Sequence, residues 1–564
     1  MNRNRQTRRT FCAAVACSAI AAPFSPSFAG SEHEHSVDVV IVGGGLGGCA
    51  AAIAALRNGL QVVMTESTDW IGGQLTSQGV PPDEHHLIET SGANQSYREL
   101  RSRIRKYYRD NYPLTDTARQ NPHLNPGNGN VSRLCAEPKV SLAVLEQWLA
   151  PYEASGQLVL LRDHVATTAD VQHDQVRAVS VRSTKTGQSR VLRGKYFVDA
   201  TELGDLLPIT QTEFVTGSEA QSQTNELHAS ETADPNNHQA FTMCFAVDHL
   251  AGEDHTIDRP EEFSFWRDFV PPMVPPWPGR LLDLTYSHPP TGNPKRLGFD
   301  PLGGKSTGGA LNLWTYRRMI DRSLFTPGRF AGDISLINWP QNDYLLGNLV
   351  GVSDDESARH IARAKQLSLS LLYWLQTEAP RPDGGTGFPG LRLRPDLMGT
   401  QDGLAKTPYV RESRRIQAEF TVLEEHVGRE NRSKVTGKPT SEIAAAAFAD
   451  SVGVGSYAID LHPSSGGDNY IDFSTFPFQV PLGSLLPTRM QNLLPACKNI
   501  GTTHITSGCY RLHPVEWGIG EAVGCLVSFA LKQKQTPHAI RSNEPLLNDF
   551  QKFIRGQGVQ TQWS

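Results

Sequence analysis

The stretch VDVVIVGGGLGGCAAAIAALRNGLQVVMTES runs from Val37 to Ser67. Val39 to Leu56 carries no charge, and about 20 apolar residues suffice to cross a bilayer. The order of residue types argues against a span. Val37 to Val42 is a β-branched strand pattern. Gly43, Gly45 and Gly48 fall at GxGxxG spacing, Ala50 to Leu56 is small and helix-prone, and Gly59 can end that helix. Leu60 to Met64 then reads as a second strand, closed by Glu66. Strand, glycine turn, helix, strand and acid in this order bind a dinucleotide. Gly43 lets the chain turn, Gly45 lets the backbone approach a pyrophosphate, and Gly48 lets helix and strand pack closely. The helix N-terminus faces the phosphates, and Glu66 accepts hydrogen bonds from the adenosine ribose.

Bulk properties fit a soluble protein with such a unit. The 564 residues suggest two or more domains. A net charge of −5, with basic residues clustered only briefly, gives no reason to expect nucleic acid. No zinc-like Cys or His spacing occurs, so no metal is expected. No C-x-x-C pair is present, which counts against a dithiol reductase.

The N-terminus reads as an export signal over residues 1–29. Arg3, Arg5, Arg8 and Arg9 precede an apolar run from Phe11 to Phe24, and Ser27-Phe28-Ala29 suits cleavage. Thr7-Arg8-Arg9-Thr10-Phe11 resembles the twin-arginine motif. The expected location is periplasmic or secreted, with no integral membrane segment in the mature chain.

Further along, strand patterns dominate from Gln157 to Asp199, in a hairpin-rich segment that returns to the main sheet. Residues 96–111 read as a basic amphipathic helix with a solvated face. Residues 139–150 read as a helix stopped by Pro151, and a helix runs from about Pro514 to Leu531. Gly518 and Gly520 follow no strand, so a second nucleotide domain is not expected. The expected fold is α/β: a discontinuous Rossmann-type domain, with a parallel sheet and helices on both sides, plus an inserted mixed α+β substrate domain. Its first part covers 37–210, the inserted domain 211–475, the second part 476–535, and a C-terminal tail 536–564.

Four segments together resemble the FAD-dependent oxidoreductase family of the glutathione-reductase-like superfamily. They are GGGLGGCAAAIAAL, TESTDWIGGQ, FVDATELGDLL and NLLPACKNIGTTHITSGCYRLHPVEWGIGEAVG. The chain is also similar to the flavin subunit of heterodisulfide reductases and to "xanthan-lyase-like" FAD proteins. The resemblance implies that FAD is the cofactor and assigns roles by position. Gly43, Gly45 and Gly48 hold the pyrophosphate and Glu66 the ribose. Gly72, Gly73 and Gln74 lie toward the flavin, Val165 meets adenine, and Ala200 and Thr201 line the adenine end. Asn499 and Ile500 sit near the ribityl chain, and the helix starting at Pro514 points at the flavin pyrimidine. The chain departs from the pattern at Ala496-Cys497-Lys498, where Ala-Gly-Arg is expected, and no Asp follows for the ribityl hydroxyls.

Three clusters are candidates for chemistry. His513 and Arg511 lie close to the flavin by resemblance, with a structural His and a structural ion pair as the alternatives. Arg411 belongs to YVRESRR (409–415), read either as a solvated charged face or as an Arg cluster gripping a carboxylate or sugar hydroxyls. Asp460 and His462 share a side if extended, so an Asp-oriented His can act as a base; a loop hydrogen-bond pair is the alternative. Trp314, Tyr316, Trp339 and Tyr344 can form an aromatic pocket, with core packing as the alternative for each. These readings converge on an exported FAD-dependent oxidoreductase, a dehydrogenase or oxidase. It oxidises a small hydroxylated or sugar-like substrate by hydride transfer and passes electrons to an unassigned acceptor. The alternatives are a flavin electron-transfer protein without a small substrate, and a non-catalytic scaffold with a degenerate FAD fold.

Overall fold

The computed structural model describes residues 34–563. The expected export signal lies outside the described residues. The chain opens with strand β1 (Glu34–Val42), helix α1 (Leu46–Arg57) and strand β2 (Val62–Glu66). Helices α2 (Gln95–Asn111) and α3 (Pro138–Ala154) precede strands β3 (Leu158–Arg162), β4 (His164–Gln172), β5 (Gln175–Ser183) and β6 (Ser189–Asp199). The middle of the chain adds β7 (Phe245–His249), β8 (Arg318–Ile320), β9 (Ile334–Ile337), α4 (Asp354–Thr377) and β10 (Leu391–Leu393). A hairpin of β11 (Ile459–Leu461) and β12 (Ile471–Phe473) follows, then strand β13 (Leu493–Pro495). Helices α5 (His504–Tyr510), α6 (His513–Gln533) and α7 (Glu544–Gly556) close the chain.

The main sheet runs β3-β2-β1-β6-β5-β4, and β13 also pairs with β6. Strands β1, β2, β3, β6 and β13 are mutually parallel, whereas β4–β5 and β5–β6 are antiparallel. The sheet is therefore mixed, not parallel throughout as expected. The links between β4, β5 and β6 are too short for a parallel crossover, which takes a dozen residues or more. Period-2 alternation splits the opening strands between two cores. Val39, Ile41, Val62 and Met64 pack on the side of α1 and α6, while Val40, Val42 and Val63 face Val179, Val181, Leu206 and Leu207. Long helices thus cover one face only. The hairpin side chains and the single turn Leu206–Ile209 cover the other.

Helices α1 and α6 touch backbone to backbone. A Cβ on Gly520 would lie 2.0 Å from the Gly47 carbonyl oxygen, and one on Gly524 would lie 2.3 Å from that of Ala51. Gly47 and Ala51, like Gly520 and Gly524, are four residues apart, so each pair forms one ridge of its helix. Arg57 at the end of α1 reaches Glu521 of α6 at 2.7 Å. Helix α6 is long and apolar enough to cross a membrane by composition, but 94% of its apolar window is buried in the protein. It is a core helix.

A second antiparallel sheet, β8-β9-β7-β10, forms in the middle of the chain. Helix α4 is capped by Ser353, whose hydroxyl accepts from the Glu356 N–H at 3.2 Å. It buries Leu367, Leu371 and Leu375 with Val247, Ile337 and Leu391.

Three local expectations change. The basic helix α2 is not simply a solvated face: Arg101 and Arg105 are buried and both pair with Glu89. Helix α3 continues past Pro151 to Ala154, so the proline does not end it. The expected tail is helical, and α7 buries Leu547, Phe550 and Ile554.

The α1–α6 crossing leaves no room for a methyl group. Gly520→Ala is expected to destabilise the protein by about 3 kcal/mol or more, as overpacking of a rigid backbone contact does. A Cβ on Gly304 meets nothing within 4 Å, so Gly304→Ala should stay within about 0.5 kcal/mol of the parent. Thermal denaturation of the two variants side by side checks both.

Candidate functional site

The glycine turn between β1 and α1 opens a cavity of about 630 Å³. Gly43 has φ +100°, and a Cβ there would lie 2.3 Å from the Ala200 carbonyl. A Cβ on Gly48 would lie 2.2 Å from the Gly43 carbonyl oxygen, which explains the third glycine as helix-to-strand packing. The Gly44 N–H donates to Glu66 Oε2 at 3.1 Å, and the Thr68 N–H donates to Glu66 Oε1 at 2.9 Å. Burial pushes the Glu66 carboxyl up to about 7, against the pull of Thr68 and Ser67.

Gly43, Gly45, Glu66, Gly73, Val165, Ala200 and Thr201 all line this cavity. Its walls run from His164–Thr167 on β4, past the glycine turn, to Thr407, Pro408 and Val410. The other expected cofactor residues stand behind the wall. Gly72 (φ +109°) donates its N–H to the Gly44 carbonyl at 2.7 Å. Gln74 donates to the Arg511 carbonyl at 3.0 Å and to Glu516. The Asn499 amide donates to the Asp199 carbonyl at 3.1 Å, tying the segment after β13 to β6. Ile500 is fully buried in the core, and Pro514 occupies the first turn of α6.

A buried polar cluster that the sequence reading missed stands beside the turn. Glu516 Oε1 accepts the Gly47 N–H at 3.1 Å, so a carboxylate of α6 caps the N-terminus of α1. The Lys498 ammonium pairs with Glu202 and lies 3.8 Å from Glu516. Burial opposes its charge, but Cys497, Glu202 and Glu516 hold its pKa well above the ordinary lysine value. Glu202, Cys497 and Glu516 place three metal-ligand atoms within 4.8 Å of one another, and Lys498 reaches all three. The signal was the departure Ala496-Cys497-Lys498 itself.

A second cavity, of about 300 Å³, collects three of the expected catalytic residues: Arg411, His462 and Arg511. The hairpin β11–β12 positions His462 just beyond Leu461. His462 Nδ1 lies 2.6 Å from Asp343 Oδ2, and its Nε2 lies 3.7 Å from Asp460 Oδ2. Its close partner is therefore Asp343, which sequence reading did not find because it lies 119 positions away. Asp343 also accepts from Thr242 at 2.5 Å and pairs with Arg411 at 3.1 Å. Burial raises its pKa, but Arg411 and His462 outweigh that and hold it low. Arg511 donates to the Tyr409 hydroxyl at 3.1 Å and pairs with Asp460 at 3.3 Å. Asp83, Arg317, Tyr316, Trp339, Tyr457 and Asp472 also line the space. Trp314 and Tyr344 do not line it; they sit in the core of the second sheet.

Two expectations about charge need correction. Arg411, Glu412 and Arg415 form no solvated face; all three are buried. Arg415 pairs with Glu412 at 2.9 Å and with Glu219 at 2.8 Å, away from both cavities. His513 lines neither cavity. Its Nδ1 accepts the Asp83 N–H at 3.3 Å, and Nε2 faces the Val80 carbonyl at 3.2 Å. Burial depresses its pKa to about 4, so it is a neutral imidazole that fixes the Asp83 loop. The six cysteines among the described residues are free and buried.

Residues 38–554 match the FAD dependent oxidoreductase family, and the chain belongs to it. FAD is its cofactor, and the glycine turn, Glu66 and the cavity of about 630 Å³ beside them suit a dinucleotide. No curated protein matches the chain. Among solved structures, it is similar to a geranylgeranyl bacteriochlorophyll reductase-like protein of Thermoplasma acidophilum at 10% identity, covering 94% of this chain and 85% of that one with a TM-score of 0.30. L-Proline dehydrogenase from P. horikoshii matches at 15% identity over 33% of this chain and 24% of its own length, with a TM-score of 0.18. The Mycobacterium smegmatis Sdh1 complex matches at 13% identity over 39% of this chain and 42% of its own, with a TM-score of 0.23. At such scores the likeness carries no argument. The chain spans less than half the length of the last two proteins.

The raised pKa of Glu66 sets the sign of a pH effect. With Glu66 on the adenosine ribose, as the sequence leads one to expect, the ionised carboxylate is the form that accepts the hydroxyls, and protonation below about pH 7 would compete with FAD. FAD affinity of the cofactor-free protein is expected to fall with falling pH, by at most about tenfold per unit. Glu66→Gln should weaken binding and flatten this dependence. Flavin fluorescence titrations between pH 6 and 8.5 check it.

Proposed function

We propose that the protein oxidises a small hydroxylated compound, with the second cavity as the substrate site. The observation that carries this reading is a shared wall. Thr407, Pro408 and Val410 line the dinucleotide cavity, while Tyr409 and Arg411 of the same segment line the second one. The two cavities therefore adjoin along the segment 407–411, so a substrate in the second one lies next to the cofactor cavity.

The chain's own residues supply the proton chemistry. The Asp343 carboxylate accepts Nδ1–H of His462 and fixes that tautomer, which leaves the Nε2 lone pair free to take a hydroxyl proton. Arg411 and Thr242 hold Asp343 in turn, so the base is oriented by a rigid buried set. FAD, when bound, supplies the two-electron acceptor for the hydride that leaves the carbinol carbon. The tyrosine and tryptophan side chains of the cavity offer flat apolar faces with polar tips, which suits a polyol or sugar ring.

The residues named for the cofactor are those of the glycine turn, Glu66 and the β4 segment. The basic segment with Arg8 and Arg9, followed by the apolar run Phe11–Phe24, supports export of the protein.

The reading is tested by anaerobic bleaching of the visible flavin bands with a panel of sugars and polyols. At least one member should bleach the wild type. His462→Gln should slow that reduction by about 10²–10⁴-fold, the range for loss of a general base, with flavin content unchanged. Bleaching at the wild-type rate in His462→Gln would remove His462 from the mechanism.

A further inference from the structure

The second cavity is charge-balanced except for one carboxyl. Arg317 pairs with Asp83 at 3.2 Å, Arg411 with Asp343 at 3.1 Å and Arg511 with Asp460 at 3.3 Å. Each guanidinium already has its carboxylate, so the cavity holds no spare cation for an anionic substrate. Asp472 lines the same space. Its side chain makes no ion pair or hydrogen bond among the described residues.

Its placement adds to this. Asp472 stands directly opposite Asp460 in the β11–β12 hairpin. Like charges at facing positions of an antiparallel pair oppose one another. Burial and then Asp460 push the Asp472 carboxyl up to about 6, with His462 pulling the other way. The neighbouring walls are aromatic. Tyr286 and Tyr470 are each 9% exposed, and their rings meet edge to face at 6.2 Å. Their hydroxyls have no hydrogen-bond partner among the described residues.

We propose that Asp472 binds a protonated amine carried by the substrate, which makes the substrate class amino alcohols such as amino sugars. An ammonium group here pairs with the free carboxylate, relieves its repulsion from Asp460 and presents its charge to ring faces, where cations are favoured. A neutral polyol does none of these. The amine is a recognition group: no bond to nitrogen forms or breaks, and the carbon oxidised is the one bearing the hydroxyl. The proposal rests on the hydroxyl-oxidation reading of the same cavity.

The test uses the flavin-loaded enzyme at about pH 7, where the amines are mostly protonated and Asp472 mostly ionised. Two matched pairs serve as probes: glucosamine with glucose, and 2-aminocyclohexanol with cyclohexanol. Binding is read by tryptophan fluorescence, since Trp339 lines the cavity, and oxidation by anaerobic flavin bleaching. The amine of at least one pair should bind about tenfold more tightly than its neutral partner, the order of one favourable charge contact. Asp472→Asn should abolish that preference, and Asp472→Glu should retain it. Equal binding within both pairs, no binding of either amine at millimolar concentration, or a preference that survives Asp472→Asn overturns the proposal. Preferential amine binding without bleaching supports amine recognition but counts against alcohol oxidation. Bleaching by neutral alcohols that bind as well as the amines does the reverse.

Discussion

The contact on which the site depends is the backbone crossing of α1 and α6. Gly47, Gly520 and Gly524 bring the first helix of the dinucleotide unit against a helix that follows more than 450 positions later. A single Cβ at Gly520 would push the two apart. Because they touch, Glu516 reaches the N–H of Gly47, and Gln74 reaches the backbone of Arg511. The same clamp therefore seats the glycine turn beside the first cavity and the arginine that lines the second. Glycine at these positions sacrifices helix propensity, about 1 kcal/mol each, for a close approach no other residue permits.

The second cavity is built from charges withdrawn from water. A buried ion pair is a weak source of stability, because desolvation offsets most of its Coulomb energy. Three such pairs around one small space are not an economical way to hold a fold. They are an economical way to orient groups. Each arginine locks a carboxylate, and one of those carboxylates locks an imidazole. The set then leaves His462 Nε2 and the Asp472 carboxyl, together with the Tyr286 and Tyr470 hydroxyls, for a ligand.

The reach of the sequence follows the range of the interactions. Residues 37–67 carry their own signal, since strand, turn, helix and acid are neighbours in the chain, and β1, α1 and β2 form as read. The mixed character of the sheet was half visible: the hairpin segment between Gln157 and Asp199 was recognised, but the sheet was expected to be parallel. Asp460 and His462 do share a side, as an extended segment requires. The tighter partner, Asp343, belongs to another part of the chain, and periodicity cannot pair residues so far apart. The same limit applies to Arg411 and Arg415, whose density suggested a solvated face until their acidic partners, Asp343 and Glu219, were placed beside them. His513 shows the converse error. Proximity to a helix start suggested chemistry, whereas both ring nitrogens are engaged by backbone.

The departure at Ala496-Cys497-Lys498 has its explanation in charge. Glu66, Glu202 and Glu516 surround the glycine turn, where three full negative charges would repel a diphosphate. Burial raises the carboxyl pKa of Glu66 to about 7 and also pushes that of Glu516 upward. Lys498 reaches Glu202 and Glu516 together. Its single ammonium thus offsets part of the acidic charge beside the helix N-terminus. An arginine at position 498 would carry the same charge in a planar fork suited to a bidentate carboxylate. The compact lysine ammonium instead meets two carboxylates and the Cys497 sulfur from one point. The departure from the expected motif thus supplies the cation that Glu202 and Glu516 share beside the glycine turn.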